Sequence, residues 1–350
     1  MLIFIKGMDT NTENESFEKF ESPNYFKKKY PVSKEALETI TKARVDIKNI
    51  LDRKDSRRIF IIGPCSIHNY DEALIYADKL KILSDKVKDK FLILMRVYLE
   101  KPRTSRGWKG FVNDPDLNSK YNINKGIELS RKLLLKINEI GLPVTTEFLD
   151  ILVYPYIYDL ISWGAIGART TEDQTHRQMV SGFSIPIGYK NSTSGNIDVA
   201  IHSIKTSEIP HHFLGINGDG VVNKISTKGN KYCHLILRGG DSGPNYEEDF
   251  IKEVEERLEE KEVPKNIMID CSHGNSLKDY KRQPEVFKEV VMQMTSNENI
   301  IGLMLESYLE EGVQEIPKDL KKLKPGVSIT DGCINWDTTE KIVMTAYDVL

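Results

Sequence analysis

Long apolar runs are missing from this 350-residue chain. No stretch approaches the roughly 18 to 20 apolar residues that cross a bilayer, so no membrane span is expected. Charge of one sign is not in excess either: 52 acidic side chains stand against 49 basic ones, for a formal charge of -3. Broad nucleic-acid binding needs a basic face, and this near balance argues against it. Cysteine is scarce. Cys65, Cys233, Cys271 and Cys333 are too widely spaced for a disulfide framework, so a reducing, cytoplasmic setting is expected. The start, MLIFIKGMDTNTENE, has a short apolar patch but no basic region before it, and does not read as a signal peptide. Internal repeats and low-complexity tracts are absent too. With 39% hydrophobic and 29% charged residues, the composition is that of a soluble globular protein.

Against this neutral background one decapeptide stands out. KPRTSRGWKG gathers Lys101, Arg103, Arg106 and Lys109 around a Pro, a Trp and two Gly. Such a local cluster suits a small anion better than a polymer.

Residues 9–32 are polar and irregular. SKEALETITKARVDIKNIL then reads as an amphipathic helix, with Ser33 as N-cap and Leu37, Ile40, Ala43, Ile47 and Leu51 as its apolar stripe. After Arg57 short apolar runs recur, each ending near a polar residue and followed by a segment of helical period. The helical segments fall near 71–88, 125–140, 152–163, 172–183, 196–207, 247–260, 283–297 and 338–349. Continuous apolar strands alternating with helices indicate a parallel sheet covered by helices. About eight such units predict a closed (β/α)8 TIM barrel over residues 57–350, preceded by an arm and helix over 1–56. Residues 98–124 form a long loop. Residues 208–232 are Gly-rich and β-like, and predict an inserted β-hairpin between strands 5 and 6.

Active sites of such barrels lie at the C-terminal ends of the strands. Here the strand ends offer Cys65, Arg96, Glu147, Arg169, Lys190, Arg238, His273 and Glu306. Each alone could be a surface charge or a packed side chain; together on one rim they point to function. They split in two. Arg96, Lys101, Arg103, Arg169, Lys190 and Arg238 are cations, more than one phosphate needs, and Gly167, Gly239 and Gly240 beside them would let backbone approach a ligand. Two phosphorylated substrates, or a phosphate and a carboxylate, would use them. Cys65, His273, Glu306 and Asp331 make a mixed sulfur, nitrogen and oxygen set, which favours Mn, Fe, Co or Zn over Mg or Ca.

GPCSIHN, MRVYLEKPRTSRGWKG, GAIGARTTEDQTHRQMVSG, GYKNSTSGN, LRGG, DCSHGNS and SITDGC resemble the type I 3-deoxy-D-arabino-heptulosonate 7-phosphate (DAHP) synthases, from about residue 30 to the end. That resemblance implies a transferase that condenses phosphoenolpyruvate with erythrose 4-phosphate at the head of the shikimate pathway to aromatic amino acids. It implies a phosphoenolpyruvate pocket of Arg96, Lys101, Arg169, Lys190 and Arg238, sugar-phosphate contacts from Arg103 and Thr104, and a divalent metal on Cys65, His273, Glu306 and Asp331. The metal would polarise the aldehyde, C3 of phosphoenolpyruvate would attack it, and water would add at C2 with loss of phosphate. Lys101, its pKa lowered by neighbouring cations, is the expected proton donor to the new alkoxide, with His273 or a water as alternatives. KPRTS where KPRTT is common exchanges one hydroxyl for another.

The resemblance also implies feedback inhibition by an aromatic amino acid and a homodimer or homotetramer built through the arm and hairpin. Gly182, Ser184, Phe213 and Gly215 match effector-pocket positions. Gly215 stands where some relatives have Ser, which leaves room for a tyrosine hydroxyl; the alternative is that it serves only a turn. Asp331 and Cys333, two apart, would point the same way in extended chain and bring Cys333 near Cys65, where oxidation could join the sulfurs. The rival readings are 3-deoxy-D-manno-octulosonate 8-phosphate synthase, whose second loop has Asn where this chain has Pro102, a Schiff-base aldolase using Lys190, and a non-catalytic sugar-phosphate-binding barrel.

Overall fold

The computed structural model describes residues 16–350, so the first 15 residues of the expected arm, with their apolar patch, lie outside the described residues. Eight of the apolar runs become the staves of one closed parallel barrel. In chain order the elements are α1 (Pro23–Lys29), α2 (Lys34–Leu51), β1 (Arg58–Gly63), α3 (Tyr70–Val87), β2 (Phe91–Arg96), α4 (Ile123–Glu139), β3 (Val144–Glu147), α5 (Tyr154–Ile157), β4 (Trp163–Ile166), α6 (Gln174–Ser181), β5 (Ile187–Lys190), α7 (Asp198–Ser207), the hairpin β6 (His212–Ile216) and β7 (Val222–Ser226), β8 (Cys233–Leu237), α8 (Glu248–Glu260), β9 (Ile267–Asp270), α9 (Gln283–Met294), β10 (Ile300–Glu306) and α10 (Trp336–Val349). The barrel closes in the order β1-β10-β9-β8-β5-β4-β3-β2, and the hairpin lies between the fifth and sixth staves. Nearly every stave residue is buried, because one face looks into the barrel and the other is covered by helices.

The chain before the barrel is bound to it by buried apolar contact. Helix α2 starts at Ser33, whose hydroxyl accepts from the Ala36 N–H, and presses Ile47, Ile50 and Leu51 against Ile59, Leu92, Ile301 and Met304, plugging the barrel's N-terminal end. Its buried face is Ala36, Ile40, Ala43, Ile47, Ile50 and Leu51; Leu37, expected in the stripe, points to solvent and is 55% exposed. The observed face keeps Ile40, Ala43, Ile47 and Leu51 of the expected stripe, and has Ala36 and Ile50 in place of Leu37. The expected helix over 152–163 is shorter than read. Only Tyr154–Ile157 is α-helical, a 3-10 turn covers Tyr158–Leu160, and Trp163 already belongs to β4. Pro155, Tyr156, Ile157 and Leu160 are buried in this stretch.

Two arginines fasten these irregular parts. Arg44 of α2 donates to the carbonyls of Ile161 (2.6 Å) and Tyr158 (3.0 Å). Arg131 of α4, fully buried, donates to Tyr156 O (2.6 Å), Asp159 Oδ1 (2.8 Å) and Tyr30 O (3.0 Å), tying the arm, α4 and the α5 region together. The hairpin pairs His212 with Ser226 through Ile216 with Val222, and its tip meets the arm where Asn24 N donates to Gly218 O at 2.7 Å.

Truncating Arg131 leaves two carbonyls and the Asp159 carboxylate without their donor in a buried place. Arg131→Ala should cost about 3 kcal/mol of stability, read as a lower urea midpoint, while Arg177→Ala, an arginine outside this junction, serves as reference. A midpoint unchanged from wild type would sink the assignment.

Candidate active site

The polar residues at the stave ends surround one cavity of about 350 Å³ at the barrel's C-terminal mouth. Arg96, Glu147, Lys190 and Glu306 are the last residues of β2, β3, β5 and β10. Arg238 follows β8 directly, while Cys65, Arg169 and His273 lie two or three residues past their strands. The barrel places all of them on one rim because every stave runs in the same direction.

Arg96 and Lys190 are paired charges. Arg96, 1% exposed, donates to Glu306 Oε1 at 2.9 Å and to the Pro64 carbonyl at 3.1 Å. Its guanidinium lies 3.6 Å from the centre of the Tyr98 ring, and Lys190 Nζ is 5.8 Å from the same ring. Lys190 donates to Asp270 Oδ2 at 2.9 Å. Burial would push the Asp270 carboxyl up, yet Lys190 and His273 hold it well below the usual range. Asp270 was not among the expected site residues. Its signal was the carboxylate that ends the apolar run NIMID, an expensive residue to bury without a partner. Ser272, Lys278, Tyr280 and Thr330 also line the cavity without having been read from the sequence.

Sulfur and oxygen donors converge beside the cations. The Sγ of Cys65 and carboxylate oxygens of Glu306 and Asp331 lie within 4.8 Å of one another, close enough to hold a metal ion. His273 stands at the edge of this trio, with Nε2 3.8 Å from Glu306 Oε1. Its Nδ1 is 3.0 Å from Asp270 Oδ2 and 2.6 Å from Ser272 Oγ, an arrangement that fixes the ring and leaves Nε2 toward the cavity. The His273 backbone is left-handed, at φ 58°, which aims the ring off the end of β9. Cys65 Sγ donates to Asp331 Oδ2 at 3.3 Å. Burial, and then the Glu306 charge, push the Cys65 thiol up to about 12. A divalent ion would offset that cost by taking the proton's place. The donor set fits one.

Two expectations are corrected here. Lys101 Nζ lies 3.1 Å from Cys65 Sγ and 3.7 Å from Asp331 Oδ2. Burial pulls its pKa down, but Cys65, Asp331 and Glu306 outweigh burial and hold the ammonium above its usual range rather than below it. The cations of KPRTSRGWKG divide: Lys101 and Arg103 line the mouth, whereas Arg106 and Lys109 line only an adjoining open groove that Lys101 and Arg103 also border. The loop folds back on itself, with Lys101 N donating to Lys109 O and Arg103 Nε to Trp108 O, both at 2.9 Å, and the last two cations part from the first two. The glycines also serve loop packing. A Cβ on Gly167 would meet Glu147 Oε1 at 2.3 Å, one on Gly239 (φ 69°) the Gly274 backbone at 2.4 Å, and one on Gly240 the Gly195 backbone at 2.3 Å.

Thr104 Oγ1 accepts from Arg169 Nε at 3.0 Å, joining the KPRT loop to the loop after β4. Away from the mouth, Ser184 bonds the Tyr158 hydroxyl (3.0 Å), and Gly182 packs on Thr227 beside the hairpin's end. Phe213 and Gly215 share the half-buried face of β6. Gly215 pairs with Asn223 within the strand, so it does not serve the turn.

The model of the DAHP synthetase I family matches residues 29–344. The phenylalanine-inhibited phospho-2-dehydro-3-deoxyheptonate aldolase of Saccharomyces cerevisiae is 44% identical over 346 residues, 97% of this chain and 91% of that protein. The Tyr-sensitive phospho-2-dehydro-3-deoxyheptonate aldolase of Escherichia coli is 44% identical over 323 residues, 92% of this chain and 90% of its own length. The solved structure of phospho-2-dehydro-3-deoxyheptonate aldolase from Francisella tularensis matches with TM-score 0.93 and 43% identity, covering 96% of this chain and 98% of that one.

Cys333 Sγ accepts from the Cys65 N–H at 3.4 Å, and all four cysteines are free. Incubation with copper in air should therefore consume two thiols and leave a Cys65–Cys333 cross-link, seen by peptide mapping. Cys333→Ser should show no cross-link and keep Cys65 titratable after denaturation; equal loss of Cys65 in both proteins would refute the pairing.

Proposed function

The chain belongs to the DAHP synthetase I family, and from that premise we propose that Arg96, Lys101, Arg169, Lys190 and Arg238 bind phosphoenolpyruvate while Arg103 and Thr104 hold erythrose 4-phosphate. The protein is a 3-deoxy-7-phosphoheptulonate synthase: it condenses these substrates with water to give DAHP and phosphate, the first step of the shikimate pathway. The observation that carries the site assignment is the meeting, at one mouth, of buried cations with the Cys65, Glu306 and Asp331 donor trio.

Cys65, His273, Glu306 and Asp331 would hold a divalent ion of the Mn, Fe, Co or Zn type. Bound there, the ion would supply Lewis-acid polarisation of the sugar aldehyde. The protein's own groups do the rest. Arg96 and Lys190 are fixed by Glu306, Asp270 and the Tyr98 ring, so they meet phosphoenolpyruvate without reorganising. Arg169 and Arg238 face the phosphate, whose departure needs positive charge already in place. Lys101, held as an ammonium, hydrogen-bonds the new alkoxide and is the proton source beside it. His273 Nε2, aimed by Asp270, faces the same space.

An aromatic amino acid, tyrosine first, is the effector we propose for Gly182, Ser184, Phe213 and Gly215, since Ser184 stays exposed and Phe213 and Gly215 share one face of β6; the expected room at Gly215 is taken up by Ile225, whose Cδ1 lies 2.4 Å from where a Cβ would stand. Residues 1–56 and the hairpin are the proposed regulatory and oligomer-forming parts, giving a homodimer or homotetramer, and residues 57–350 the catalytic domain. Among the described residues no helix is long and apolar enough to cross a membrane. A cytoplasmic location agrees with four free cysteines.

Purified protein should release phosphate from phosphoenolpyruvate with erythrose 4-phosphate and not with arabinose 5-phosphate. EDTA should abolish turnover and Mn²⁺ restore it. Turnover only with the pentose phosphate would assign the octulosonate reaction instead, and indifference to EDTA would remove the metal site. Tyr98→Leu should raise KM for phosphoenolpyruvate about tenfold, the effect of losing about 1.4 kcal/mol from a desolvated cation–π contact. Tyr98→Phe keeps the ring and should stay within about twofold; equal loss in both would assign the effect to the hydroxyl.

A further inference from the structure

A second cleft, of about 540 Å³, opens beside the mouth, and Arg169, Arg238 and Lys278 line both spaces. Away from these three, the cleft presents the hydroxyls of Thr104, Thr193 and Ser194, all hydrogen-bond donors to a phosphate oxygen. Glu172 and Asp241 border it as well. Three cations against two carboxylates make it weakly attractive to a dianion, far less so than the mouth.

Lys278 has no role in the reaction as derived so far, yet its position is closely specified. It sits at φ 63°, directly after Leu277 at φ 53°, and its N–H donates to His273 O at 2.7 Å. Two consecutive non-glycine residues in the left-handed region cost about 1 kcal/mol or more each, and persist only where surrounding contacts impose them. No carboxylate pairs with Lys278, Arg169 or Arg238 among the described residues. The one cation whose loop is bent in this way thus stands at the junction of the two spaces.

On the reading given above, cleavage leaves inorganic phosphate against Arg169 and Arg238 while the seven-carbon product occupies the mouth. We propose that the cleft is a holding and exit site for that inorganic phosphate, with Lys278 as the cation that takes the dianion over from Arg169 and Arg238. Weaker net charge lets the anion move on, and Glu172 and Asp241 oppose its staying. The inference rests on the synthase reading.

The test is a phosphorus NMR titration of inorganic phosphate into metal-loaded enzyme saturated with phosphoenolpyruvate, without sugar phosphate. Wild type should bind phosphate while phosphoenolpyruvate stays in place. Lys278→Gln should weaken that binding about tenfold, the loss of about 1.4 kcal/mol expected for one charged contact. Arg103→Gln should leave it within about twofold. Phosphate that binds only by displacing phosphoenolpyruvate overturns the proposal, as does unchanged affinity in Lys278→Gln. Loss in Arg103→Gln instead would put the anion where the sugar's phosphate belongs, and overturn it equally. Turnover with both substrates is measured on the same preparation. Enzyme that neither turns over nor binds phosphoenolpyruvate sinks the synthase reading, and the exit role with it; active enzyme without the second phosphate sinks the exit role alone.

Discussion

A buried guanidinium needs a counter-charge, and the Arg96–Glu306 pair supplies it across the top of β1. Both side chains are almost wholly buried, at 1% and 2% exposure, and their atoms meet at 2.9 Å. The two strands that carry them flank β1 on either side, and Gly63 pairs with Glu306 in the register that brings them together. Removing either partner would strand the other in a low-dielectric place, at a cost of about 3 to 5 kcal/mol. The backbone ladders of β1 to β10 and to β2 close the barrel, and this one contact joins their ends at the mouth. Glu306 belongs to the anionic donor set and Arg96 to the cationic pocket, so the same pair sets the distance between the two halves of the site.

Elsewhere the mouth repeats this interleaving. Asp270 lies between Lys190 and His273, fixing an ammonium on one side and an imidazole on the other. Cys65 lies between Lys101 and Asp331. Arg96, Lys190 and Lys101 each have a carboxylate partner before any ligand arrives, and burial strengthens the hold because water cannot screen it. Fixed dipoles and charges of this kind need not reorganise during a reaction, and electrostatic stabilisation costs least when they are already in place. The same arrangement explains why Lys101 is kept protonated: its ammonium stands against the Cys65 sulfur and the Asp331 carboxylate.

The parts outside the staves are attached by backbone capture. Arg44 and Arg131 bind carbonyls of the irregular stretch between β3 and β4, and Tyr156 donates to Glu21 O from the same stretch. Tyr154, Tyr158, Phe183 and Phe148 pack there with ring centres 4.7 to 6.5 Å apart, next to Glu147 at the rim. Arg44 of α2 stacks over the Tyr158 ring, so this cluster joins α2 to the mouth, and side-chain shifts within it are felt by neighbours.

The sequence by itself determined the barrel, because parallel staves buried on both faces must be continuous apolar runs, and the chain contains them at regular spacing. It also determined which residues reach the rim, since the last polar residue of each run falls at the same end of every stave. Motif resemblance assigned chemistry to Cys65, His273, Glu306 and Asp331 before any geometry was known. Only the tertiary structure decided who pairs with whom. Asp270 was hidden because a lone Asp after an apolar run looks like a strand end, and its partners lie 80 residues away at Lys190 and three residues on at His273. Leu37 and Ala36 were interchangeable until α2 met the barrel. Arg106 and Lys109 parted from Lys101 and Arg103 because a ten-residue loop can turn back on itself, which no spacing rule reveals. The sign of the Lys101 shift followed the same logic: pKa depends on which charges stand nearest in space, and sequence neighbours are a poor guide to those.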